Sequence, residues 1–183
     1  MLSSRRLPKN NCSSIWMNLS NRSRPFMKAI DAADFWQFSL SVYDNEQVQK
    51  TLLNWQNDYG LNVNLCLFLA YLDYQHVALQ AEQLDSLIAS IGDFNEHALQ
   101  PLRDIRGYLK RNQSSVVNYN NIRTQILDLE LAMEKLQQHQ LVSACNTLTL
   151  RHNTQAFNLA LYLPNALLPL KADLDQALHQ SPA

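Results

Sequence analysis

After about Asp34 the apolar positions of this chain recur three and four residues apart, the spacing of helices with a buried face. A first helix is predicted from Asp34, a good N-cap, to Tyr43. Phe35, Phe38, Ser39 and Val42 form one stripe and Trp36, Leu40 and Tyr43 the next, so this helix should pack on two sides. Asp44 and Asn45 break the chain and recap it. A second helix follows from Glu46 to Tyr59, with Val48, Leu52, Trp55 and Tyr59 on one face. Gly60 stands where a helix end favours a left-handed residue, and Leu61 is placed to close back onto Trp55. Asn62 or Asn64 can cap the helix after it.

The next stretch reads two ways. Leu61, Val63, Leu65, Leu67 and Leu69 alternate with Asn62, Asn64, Cys66 and Phe68, a strand-like period of two. The apolar run continues through Ala70, Tyr71 and Leu72, and no other segment offers a partner strand with turn chemistry, which favours a fully buried helix. A fourth helix is expected over Gln80–Ile91, ended by Gly92. A fifth should start at Asp93, paired with Glu96 as in a capping box, with Phe94, Ala98, Leu102, Ile105 and Leu109 buried. Pro101 should kink or break it near Leu99 and Gln100. Residues 112–120 read as a polar connection. A long sixth helix over 121–142 carries Ile122, Ile126, Leu129, Met133 and Leu136 as an a/d-like seam, suited to bundle packing or to a homodimer. A last helical portion covers Thr154–Leu163, and Pro164 and Pro169 interrupt a tail that can end in a short amphipathic helix, Leu170–Leu178.

Together these elements predict an all-α fold, a single-domain helical bundle of six to seven helices with its core in the first three. Three glycines are too few for a chain rich in tight hairpins. The segments Asn64–Leu69 and Asn158–Leu163 share the pattern N-L-x-L-aromatic-L, with no other identities around them. The echo points to two deeply buried helices rather than to a duplication.

Composition narrows the picture further. A length of 183 residues suits one domain with a real core. No apolar run approaches the roughly 20 residues that cross a bilayer, so no membrane partner is expected. Cys12, Cys66 and Cys145 are odd in number and widely spaced, which fits free, buried thiols in a reducing compartment. A net charge of −1 gives no general pull toward nucleic acid. The balance is uneven, because residues 1–26 hold Arg5, Arg6, Lys9, Arg22 and Arg24 without an acid and leave the remainder at −6. The expected division is a basic extension over 1–26, disordered or not native, and one all-α domain over 27–183. A targeting peptide is the competing reading of the extension.

Candidate chemistry is sparse. The five histidines are dispersed, with no HExxH, no CxxC, no glycine-rich phosphate loop and no GxSxG. No catalytic residue, metal or cofactor is therefore predicted, and the chain reads as non-enzymatic. Two surfaces remain. Nine of the sixteen aromatic residues fall between Phe35 and Tyr74, and Trp36, Tyr43, Trp55, Tyr59 and Tyr71 could line a pocket with Asp58, Asn62 and Asn64 as its polar groups. Helical spacing gives the same residues a purely structural reading as core. On the fifth helix Arg103, Arg106 and Lys110, with Arg111 beside them, form a basic stripe that could meet an anionic partner or simply face solvent.

The segments FWQFSLSVY (35–43), DYGLNVNLCLFLAYL (58–72) and PLRDIRGYLK (101–110) taken together resemble a small family of uncharacterised proteobacterial proteins. Its pattern is FWxFSLxxY, then YGLxVNxxLF, then PLRxxRxxLK. The resemblance covers about residues 34–111 and implies a bacterial, cytoplasmic protein, with no activity or catalytic residue to carry over. The functional expectation is a helical binding or adaptor protein that engages a protein partner or itself through an aromatic groove. The alternative is a small-molecule-binding protein or enzyme with a pocket near Trp36, Trp55, Tyr59 and Asn62.

Overall fold

The computed structural model describes residues 29–169, 171 and 174. The basic extension 1–26, Cys12 and most of the segment 170–178 lie outside the described residues. Helix α1 spans Ala32–Tyr43, and its N-cap is Asp31 rather than Asp34. The Asp31 carboxylate accepts from the N–H groups of Ala33 at 2.7 Å and Asp34 at 3.1 Å, which places Asp34 inside the first turn. Helix α2 spans Glu46–Tyr59 as expected, capped by the Asn45 side chain. Gly60 takes φ 67°, and the Leu61 N–H reaches back 3.2 Å to the Trp55 carbonyl. Val48, Leu52 and Trp55 are buried, whereas Tyr59 at the last position is half exposed.

Helix α3 spans Val63–Tyr74, which settles the ambiguous stretch as helix. Asn62 is its cap, accepting from the Leu65 N–H at 2.9 Å. Every residue from Val63 to Leu72 is buried, because α1, α2, α6 and α7 surround it. Alternation carries no signal in such a helix, since each phase of the turn needs an apolar side chain. Phe35 of α1 meets Phe68 edge to face at 4.9 Å, and Tyr71 lies 5.4 Å from Phe35 and 5.0 Å from Phe38.

Helix α4 spans Ala81–Phe94, α5 spans Gln100–Arg111, and a π-helical turn over Asn95–Leu99 joins them into one rod. Gly92 does not end α4, and Asp93 caps nothing. Pro101 has no N–H and would crowd the carbonyl four residues back; the wider turn before it, closed by Gln100 N–H to the Asn95 carbonyl, relieves that conflict without a break. The extra residue also shifts the phase of the rod. Leu99 is fully buried in place of Ala98, Ile105 is half exposed, and Arg103 and Arg106 turn inward.

Helix α6 spans Tyr119–Asn146, and the predicted seam is not its buried face. Leu129 and Leu136 are half exposed, while Glu130, Gln137, Gln138, Leu141, Val142 and Cys145 are buried. The true face is rotated by one residue, about 100°, because polar partners on other helices, described below, meet it. At its end, Asn146 exchanges two 2.9 Å hydrogen bonds with the backbone of Ile30. Strand β1, Val77–Ala78, pairs antiparallel with β2, Arg151–His152. Helix α7 is only Asn158–Tyr162, shorter than the predicted Thr154–Leu163, because its N-terminal N–H groups are held by a distant cap. Asp73 accepts from Asn158 N at 2.7 Å and Leu159 N at 3.2 Å. The Asn158 side chain in turn holds β1, donating to the Val77 carbonyl and accepting from Leu79 N. The two halves of the N-L-x-L echo thus both begin on a buried asparagine.

The architecture is the expected all-α bundle, with α3 at its centre. No helix among the described residues is long and apolar enough to cross a membrane. Gly60 offers a direct check on the α2–α3 turn. A Cβ there would meet nothing within 4 Å, so Gly60→Ala suffers only the left-handed backbone. It should lower stability by about 1 kcal/mol, with Gly60→Asn losing less, read from urea unfolding midpoints.

Candidate functional site

Two polar layers meet where α6 packs on the bundle. The first is a chain of buried amides. Ser39 of α1 accepts from Gln138 Nε2 at 3.2 Å, and the same nitrogen donates to Asn64 Oδ1 at 3.0 Å. Asn64 Nδ2 donates to Gln137 Oε1 at 2.9 Å, and Asn62 Nδ2 reaches that oxygen at 3.2 Å and Asn95 Oδ1 at 2.9 Å. Four elements are tied together here: α1, the start of α3, α6, and the π turn that presents Asn95. Buried amides have to find such partners, so their pairing fixes how the helices align.

The second layer is charged. Glu130, with 8% of its side chain exposed, receives Arg106 through Nε–Oε2 at 2.8 Å and Nη2–Oε1 at 3.1 Å. The shorter contact is an ion pair whose N–H does not align as a hydrogen bond. Arg103, also 8% exposed, stands 3.5 Å from Glu130 and donates to Glu134 Oε1 at 3.0 Å. Two positive and two negative charges therefore neutralise one another between α5 and α6. Burial raises the Glu134 pKa above its ordinary value, against the pull of Arg103. Tyr43 is also raised, by burial first and then by the Glu134 charge.

Above these layers lies a half-open cavity of about 450 Å³. Trp36, Leu40 and Tyr43, the second stripe of α1, form one side of it, Leu53 of α2 and Leu131 of α6 flank them, and Asn64, Arg103, Glu130 and Glu134 supply its polar wall. The aromatic region expected from the sequence is thus divided. Trp36, Tyr43 and Asn64 come together in the cavity. Trp55 is buried in the core with an unpartnered indole N–H, Tyr71 belongs to the Phe35–Phe38 cluster, and Asn62 serves as cap and network member. Asp58 and Tyr59 are exposed beside Gly60 and do not line the cavity.

The basic stripe is divided too. Lys110 and Arg111 are exposed, but Arg103 and Arg106 are committed to glutamates, so the four do not form one free surface. Sequence reasoning missed Glu130 and Glu134, although a signal existed. Arginines three apart on one helix and glutamates four apart on the next, across a short connection, are complementary faces. Among the described residues no cluster of three or more potential ligands suggests a metal site.

Fold and site define an all-α protein with a half-open cavity built over a buried charge cluster. The chain belongs to the family described as Protein of unknown function (DUF2390), whose model matches residues 34–141. That span holds the whole cavity wall, from Trp36 to Gln138, and ends before β2 and α7. No curated protein and no solved structure matches the chain.

Glu130→Ala leaves two arginines facing each other without their shared acid and should destabilise the fold by roughly 3–5 kcal/mol, measured by chemical denaturation. Glu134 behaves differently with pH. A raised carboxyl pKa means the folded state holds the proton more tightly, so its contribution is fully present below 4.5 and declines as pH rises through the folded value. The stability of the native protein relative to Glu134→Gln should therefore fall with rising pH across that range. A difference that rises instead would show the Arg103 attraction to outweigh burial.

Proposed function

We propose that the protein is a non-enzymatic binding protein whose receptor site is the cavity between α1, α2, α5 and α6. The observation that carries this reading is the cavity itself. Its volume of about 450 Å³ falls within the range of small-ligand sites, and its wall joins apolar and aromatic side chains to a set of polar and charged ones. The buried acids of the wall, Glu130 and Glu134, are held by arginines, which favours binding over catalysis. A cytoplasmic, bacterial setting accords with Cys66 and Cys145, both free, buried and pushed up to about 12, far from reactive thiolates.

A protein partner or second copy is the other reading. It is favoured by the exposed leucines at the rim, Leu40, Leu53 and Leu131, which would suit apolar anchor side chains. One substitution serves both. Leu131→Trp should change stability by no more than about 0.5 kcal/mol, as a surface change does, while narrowing the cavity. A ligand at a hundred times its dissociation constant stabilises its target by about 2.7 kcal/mol. Thermal-shift screening of small metabolites should find compounds that raise the melting temperature of the native protein and not of Leu131→Trp. If no compound does so, and a partner isolated by pull-down is lost in Leu131→Trp, the small-ligand reading gives way to the protein-partner one.

A further inference from the structure

The cavity wall carries one carboxylate more than it pairs internally. Arg103 and Arg106 face Glu130 and Glu134, and Asp128, also in the wall, is exposed with no cation in ion-pair range among the described residues. Trp36 belongs to the same wall, and the Lys135 ammonium stands 5.3 Å from its ring centroid. That contact is a cation–π pair the protein makes with itself. From these observations we infer that the cavity takes an amphipathic organic cation. Its ammonium faces the side of the wall that carries Asp128 and Glu134, and its apolar body follows the Trp36 and Tyr43 rings with Leu40, Leu53 and Leu131.

The inference rests on the binding reading above and adds the sign of the ligand's charge. An anion finds little here, because both guanidinium groups are already engaged by glutamates in strong charge-assisted contacts. A cation finds Asp128, which has no cation in ion-pair range among the described residues, and the Trp36 and Tyr43 rings of the same wall.

Three compounds of similar size separate charge from shape: 2-phenylethylamine, 2-phenylethanol and 3-phenylpropionate. Calorimetric titration at neutral pH and low salt should rank the amine tightest and the acid weakest. Asp128→Asn and Glu134→Gln should each weaken the amine by about five- to tenfold, the size of a partly desolvated charge contact, and leave the alcohol unchanged. Asp128 is exposed and makes no ion pair among the described residues, so its variant folds even if that of Glu134 does not. Lys135→Met should strengthen the amine by removing a positive charge beside Trp36. Equal or tighter binding of the acid overturns the inference, as does an amine affinity indifferent to both acidic substitutions. If the alcohol binds as well as the amine, the cavity stands and the charge assignment falls. If none of the three binds to the native or the Lys135→Met protein, the binding reading itself fails.

Discussion

The arrangement of α5 and α6 depends on Glu130, a carboxylate almost withdrawn from water and gripped by Arg103 and Arg106. Such a cluster contributes little net stability compared with apolar residues of the same shape, because desolvation offsets much of the attraction. Its effect is on alignment. Sliding α6 by one turn along α5 would keep only one glutamate opposite the two arginines, because Glu130 and Glu134 lie one turn apart, and would leave the displaced acid and the excess positive charge unpaired, a costly state. The amide chain through Ser39, Gln138, Asn64, Gln137 and Asn62 acts the same way on α1 and α3. Apolar packing collapses the bundle; these polar layers select one register for it.

That division explains the position of the cavity. The helices around α3 close tightly where they meet through leucine and phenylalanine, as at Phe35 and Phe68. Where α6 meets them through long polar side chains, the helices cannot approach as closely as small apolar residues would allow. The space left over is lined by the second stripe of α1. The void and the charged layer are thus two results of the same packing.

Much of the fold was legible in the sequence. Helix α2, its glycine-closed end and the Asn62 cap follow from signals a few residues apart, and local chemistry alone determines them. The first stripe of α1 read correctly as buried, but the second lines the cavity with Leu40 exposed, and the cap at Asp31 lay three residues before the one expected. The misreadings of α6 and α7 involve distant partners. The inward face of α6 is polar, so periodicity of apolar residues pointed one residue away from it. The start of α7 is set by Asp73, more than eighty residues earlier, which no local pattern reveals. Of the eight aromatic-region residues named from the sequence, Trp36, Tyr43 and Asn64 line the cavity and the other five do not, whereas Glu130 and Glu134 were missed because acids on a long helix normally read as solvated.

The π turn at 95–99 has a consequence for how this chain tolerates change. It makes the α4–α5 rod a text read in two frames, with one added residue separating them. Within the turn Glu96 and His97 face solvent, whereas Leu99 is fully buried and Asn95 is tied to Asn62. Were the same residues wound as a plain α-helix, everything downstream would rotate by about 100°, Ile105 and Leu109 would come round toward the acids of α6, and both arginines would turn away. Deleting one residue of the turn would instead restore plain α geometry with Arg103 and Arg106 still inward. The width of this one turn decides which face of α5 the rest of the protein meets.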